Sequence, residues 1–193
     1  MVGRGWTLVN APAFGAQGMT LNGTTQYATI PTSRMTAPFL GGAPNEISFV
    51  VTFIPTFAAA EAVNRAFYDG VAPNRYIAYR DATAPNYNLY FYAGATTLVG
   101  TVAIAAYGGL WLVGQRNQIV AALRSGANVF YLNGAQIGTS AVVWSKLLLS
   151  SLLYSGCATA GTMFFAGTLS DRAIFGRQLT PAEVSNLWNV GTL

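Results

Sequence analysis

An all-β antiparallel sandwich closed by one short C-terminal helix is the fold that this sequence predicts. Short runs of β-branched and aromatic residues recur along the chain, separated by Gly, Pro, Asn and Thr, without long helical patterns between them. Helical signals gather only at the C-terminal end. At 193 residues, 52% hydrophobic and 8% charged, the chain can bury one large core without a disulfide or metal staple. It is also far too apolar for a disordered chain or a charge-patterned coiled coil. No composition shift marks a boundary, so residues 1–193 are expected to form one domain.

The elements follow in order. Residues 26–31 (QYATIP) alternate and stop at a proline, and the proline-spaced segment 35–44 reads as a loop. Residues 46–54 (EISFVVTFI) form the first fully buried strand, followed by 65–68, 75–80 and 88–92, each rich in Tyr or Phe. From Ala82 to Gln115 there is no charge, and the stretch from Thr97 to Gly114 has the length of a membrane span. Its β-branched residues are split by Gly108-Gly109, however, which favours two buried strands, the first over 97–105, and no membrane insertion. Strands at 118–123, 128–132 and 136–139 come next. Asn133-Gly134 sits between the last two, where a type I′ turn needs two residues at positive φ. Strands at 152–155 and 166–175 complete the set.

The helix has the clearest local grammar. Thr180 is its N-cap, Pro181 its first residue, and Glu183 completes a capping box. Leu179 and Val184 can staple across the cap, Leu187 and Trp188 continue the apolar face, and Gly191 is the stop. A stripe this narrow is expected to dock on the sandwich.

Composition excludes several chemistries. With no histidine, the chain has no Ser-His-Asp or Cys-His catalysis and no imidazole metal site of its own. Cys157 is single, among uncharged neighbours, and is expected to be inert and packed. Nine arginines and one lysine outnumber six acids, but they are dispersed singly, which argues against a nucleic-acid groove. The N-terminus lacks the apolar run of a signal peptide.

With the elements placed, a family resemblance can be drawn. Phe165 to Trp188 (FAGTLSDRAIFGRQLTPAEVSNLW) resembles the closing motif of laminin-G-like, concanavalin A-like jelly-roll domains, through Gly167, Leu169, Asp171, Ile174, Phe175, Leu179, Thr180, Glu183 and Leu187. Gln118 to Gly138 is similar to the family's Leu-Tyr-Val-Asn-Gly hairpin block. Leu21 to Pro31 resembles the opening motif, and Glu46 to Thr56 the strand after it. The resemblance implies a jelly-roll sandwich used for adhesion. It also implies weaker calcium binding than in relatives, because Asn22 and Ser170 stand where the motifs carry Asp. Some relatives are glucanases with a Glu-x-Asp-x-x-Glu strand, a spacing absent from these six acids, so no enzyme is expected.

The densest aromatic region, Arg75 to Gly94, supplies the candidate ligand face. Strand alternation puts Tyr76 and Arg80 on one face, and Asn88, Tyr90 and Tyr92 on one face of the next strand. If the two faces join across the 81–87 loop, rings and hydrogen-bonding groups suit a glycan. Cross-strand aromatics also stabilise sheets with no ligand at all. Trp6, Trp111, Trp144 and Trp188 are expected as core or interface anchors. Weak calcium candidates are Asp69, Asp81 and Asn86, and no other cofactor is implied.

These observations predict a non-catalytic structural or attachment protein. The low charge and abundant apolar side chain point to surface buried in an assembly. The expected place is a virus or phage virion, as a capsid-decoration or tail-associated protein assembled in the host cytoplasm. Its partners would be other virion proteins, further copies in a homo-oligomer such as a trimer, and surface glycans. The alternative is a lectin-like carbohydrate-binding module with no virion role.

Overall fold

The computed structural model describes residues 6–31, 44–70, 75–147, 152–159 and 161–191. Of the expected 35–44 loop, all but Pro44 lies outside them.

Two seven-stranded antiparallel sheets face each other among the described residues. Sheet 1 has the order β1 (Thr7–Val9), β4 (Tyr27–Pro31), β13 (Leu152–Ser155), β6 (Arg65–Gly70), β7 (Ile77–Arg80), β8 (Leu89–Ala93), β9 (Thr97–Val102). Sheet 2 has the order β12 (Ala135–Ser140), β11 (Asn128–Leu132), β10 (Asn117–Arg124), β5 (Glu46–Pro55), β14 (Ala166–Phe175), β3 (Gly18–Asn22), β2 (Ala13–Gly15). Every strand expected at a stated range is present within a few residues, and the sandwich fold stands.

Period-two alternation builds the core. Ile47, Phe49, Val51 and Phe53 of β5 point inward, beside Leu123, Ala121 and Ile119 of β10. Across the sandwich, Phe91 of β8 stacks on Phe130 of β11 at 4.4 Å between centroids. Gly100 makes room for that stack: a Cβ there would lie 2.2 Å from the Phe130 ring. The opposite residues of sheet 2, Val50, Val120 and Tyr131, form a second apolar layer on its outer face. Helix α2 (Pro181–Val190) covers that layer with Val184 and Leu187, joined by Leu179 just before its N-cap. Its capping box, with Thr180 accepting from the Glu183 N–H and Glu183 from the Thr180 N–H, is formed as the sequence predicts. The hairpin is too, with Asn133 at φ 53° and Gly134 at φ 78°.

The second half of the charge-free stretch departs from expectation. After β9 the chain forms helix α1 (Ile104–Tyr107) and a 3₁₀ turn over Gly108–Leu110, not a second strand. The Trp111 indole N–H donating to the Phe57 carbonyl (3.0 Å) ties this turn to the core. Strands β1, β2 and β3 are absent from the sequence reading: β1 pairs with β4, while β2 and β3 form a hairpin that joins sheet 2 through β14. No helix among the described residues is long and apolar enough to cross a membrane.

Candidate functional site

Helix α2 occupies the outer face of sheet 2, so the outer face of sheet 1 is where a strand surface stays open. Over β6 and the start of β7, Ala158 and Met163 pack against Ala66 and Ile77. Half-buried Tyr79 and Tyr92 edge this cluster and, with Tyr90, form a row along β7 and β8. Tyr79 stacks on Tyr90 at 5.2 Å and lies near-parallel to Tyr92 at 6.2 Å. The Asn88 amide donates to the Tyr90 hydroxyl (3.1 Å). Burial and the neighbouring phenols and Asp81 hold the Tyr79 hydroxyl above its ordinary pKa. It is therefore a neutral donor at any physiological pH.

The ladder splits the sequence-predicted face. Tyr79 pairs with Tyr90 and Ile77 with Tyr92, so Tyr76, Ala78 and Arg80 point the other way, beside Leu89 and Phe91. Asn88, Tyr90 and Tyr92 do share the outer face, but Tyr76 and Arg80 are fully buried. The Tyr76 hydroxyl bonds both the carbonyl and the N–H of Leu147, and burial pushes its pKa up to about 12. Arg80 donates to the carbonyls of Ala59, Val63 and Asp81 and lies 3.6 Å from Glu61. Its role is to anchor the 57–64 loop. The residue that the sequence reading missed is Tyr79, which takes their place on the open face. Knowing that the two strands pair would not have revealed it. The register was needed.

Arg75 borders the same face. Its guanidinium grips Asp69 in a fork, both bonds 2.7 Å, and its charge reaches Tyr79 and Tyr92. Asp69 is fully buried, and its second oxygen also accepts the N–H and hydroxyl of Thr159. That carboxylate already has its counter-charge and its donors. Asp69 and Asp81 flank opposite ends of the β6–β7 ladder, and Asn86 is exposed with its carbonyl accepting from Ile104 N–H. The three calcium candidates are not brought together, and no group of three Asp, Glu, Cys or His side chains suited to a metal forms among the described residues. Asn22, standing where relatives carry Asp, accepts three backbone N–H bonds through Oδ1 and so shapes its own turn. Cys157 is buried, and burial pushes its thiol up to about 12.

A second feature lies at the other end of the sandwich. A cleft of about 600 Å³ opens beside the β2–β3 turn, lined among others by Trp6, Phe14, Gln17, Arg116, Asp171 and Arg172. Trp6 and Arg172 also line a neighbouring cavity of about 270 Å³. A bulge in β14 creates this arrangement: Leu169 pairs with Phe53 and Arg172 with Val51, so both turn inward. Strict alternation would have turned Arg172 out. The odd spacing of Leu169 and Ile174, both core residues, was the available signal.

Comparison with known proteins agrees with this architecture. Residues 22–185 match the concanavalin A-like lectin/glucanases superfamily. Domain 4 of AbnA, an extracellular GH43 arabinanase from Geobacillus stearothermophilus solved with arabinotriose, superposes with a TM-score of 0.64 at 18% identity, covering 94% of this chain and 81% of that one. The heptameric SAP-like pentraxin of Limulus polyphemus gives 0.58 at 16% identity, over 75% and 70%. The receptor-binding domain of botulinum neurotoxin C/D mosaic serotype gives 0.67 at 9% identity, over 96% and 46%. No curated protein sequence matches. The fold is lectin-like.

Proposed function

The chain belongs to the concanavalin A-like lectin/glucanase superfamily, and on that premise we propose that it is a non-catalytic attachment protein that holds carbohydrate on the Tyr79–Tyr90–Tyr92 face of sheet 1. The row of three half-buried tyrosines on the outer face of sheet 1 carries this reading. A sugar offers apolar C–H surfaces and hydroxyl edges. Phenol rings with their hydroxyls, the Asn88 amide and the Arg75 guanidinium offer the complement. The arabinotriose-bound arabinanase domain, which shares the fold, adds support.

The acids support a role without turnover. Glycoside hydrolysis needs two carboxyl groups facing one bond. Here Glu61 pairs with Arg65, Asp69 with Arg75 and Glu183 with Arg177, while Glu46 accepts from Gln178 N–H and Asp81 from Thr83 N–H. The sixth acid, Asp171, lies in the cleft at the other end of the sandwich.

We place the protein on a virion surface as a homo-oligomer. The 8% charged composition and, among the described residues, nine exposed large apolar side chains, Val143 at 74% and Val190 at 73% foremost, support that placement. A glycan array tests the binding, with wild type giving signal and Tyr90→Ala losing it. Mass spectrometry of purified particles tests the placement. Absence from every particle would leave the carbohydrate-binding module alone.

A further inference from the structure

Arg172 is a cation with no ion-pair partner among the described residues. Its hydrogen bond is to the neutral Ser155 hydroxyl, and its guanidinium lies over the Trp6 ring at 4.6 Å. No carboxylate approaches it within ion-pair distance among the described residues, although Arg65, Arg75, Arg80 and Arg177 each have one. Burial lowers its pKa to about 10, although the nearby Asp171 charge pulls the other way. In the same cleft Arg116 bonds the carbonyls of Leu187 and Trp188 while its buried Nε has no partner.

We propose that this cleft binds a carboxylate-bearing sugar, with the carboxylate on Arg172 and the ring over the cleft's apolar mouth. The volume falls within the roughly 300–1,000 Å³ typical of small-molecule sites. A guanidinium prefers a carboxylate because two parallel N–H bonds match its two oxygens. Gln17, Thr52 and Ser170 supply groups for hydroxyls, and Phe14, 44% exposed, supplies apolar surface. Among the described residues, the ionisable ones lining the cleft are Arg116, Asp171 and Arg172, two cations against one anion. Asp171 opposes an incoming carboxylate and sets an upper limit on affinity. The site is separate from the tyrosine face and does not depend on it.

The test is NMR titration of the wild-type chain with sodium glucuronate, glucose and sodium acetate. Glucuronate should bind at least tenfold more tightly than either other probe and shift the Trp6 indole N–H. Arg172→Gln should lose that binding tenfold or more, Asp171→Asn should tighten it a few fold, and Tyr90→Ala should leave it unchanged. Should Arg172→Gln fail to fold, Arg116→Gln and Asp171→Asn carry the comparison, with Arg116→Gln expected to weaken binding. Equal binding of glucuronate and glucose, equal binding of acetate, or a response abolished by Tyr90→Ala would each overturn the proposal. The last outcome would leave the tyrosine face as the sole site.

Discussion

Tyr79 stands directly opposite Tyr90 in the β7–β8 ladder, with 29° between the ring planes. That pairing decides which side of each strand a ligand can reach. It sends Tyr76 and Arg80 into the core and leaves Tyr79, Tyr90 and Tyr92 together outside.

The two kinds of tyrosine should respond differently to truncation. Tyr76→Ala removes a fully buried ring and should cost about 3–5 kcal/mol, whereas Tyr90→Ala loses only a cross-strand pair, roughly 0.2–1 kcal/mol. Urea denaturation of both variants measures the difference. Similar losses would contradict the register.

Arg80 should behave as a structural residue. Arg80→Met strips the Ala59, Val63 and Asp81 carbonyls of their donor, while Glu61 keeps Arg65, and should cost about 1–3 kcal/mol or more, as leaving buried acceptors unpaired does. Glycan binding per folded molecule should not change, which separates this loss from a binding defect.

The hairpin gives a backbone test. Gly134→Val forces a β-branched residue to φ 78° and brings its Cβ to 3.1 Å from Trp188. A loss of about 1–3 kcal/mol is expected, read as a lower melting temperature. An unchanged melting temperature would remove the turn from the account.

Acid should loosen the C-terminal helix. The Arg177 guanidinium and the Thr180 N–H and hydroxyl hold Glu183 at about 2, below its ordinary 4.5. A depressed folded-state pKa stabilises above the unfolded value and is lost as pH falls through the folded one. The stability gap between wild type and Glu183→Gln should therefore be full above pH 4.5 and close towards pH 2. Thermal melts across that range measure it.

What the sequence disclosed were the local signals. Thr180 with Glu183, and Asn133 with Gly134, act within a few residues of themselves, so their structures were legible without the rest of the fold. Alternation also found the strands, because each hydrophobic run carries its own phase. It could not relate one strand's phase to the next. The 81–87 loop sets the β7–β8 register, and the shift between Leu169 and Arg172 reverses the phase in the middle of β14. The inward turn of Arg172 is therefore invisible to strict alternation. Strands β1 to β3 were illegible for a related reason: they are only three to five residues long, and the short β2–β3 hairpin is held in its sheet by β14, far away in the chain.

The most direct measurement is amide chemical-shift mapping with the strongest neutral oligosaccharide found on the array. The account predicts perturbations centred on the amides of Ile77–Arg80 and Leu89–Ala93, saturating with ligand and absent in Tyr90→Ala. Perturbations confined to other surfaces, or none from any neutral glycan at millimolar concentration, would contradict carbohydrate attachment through this face.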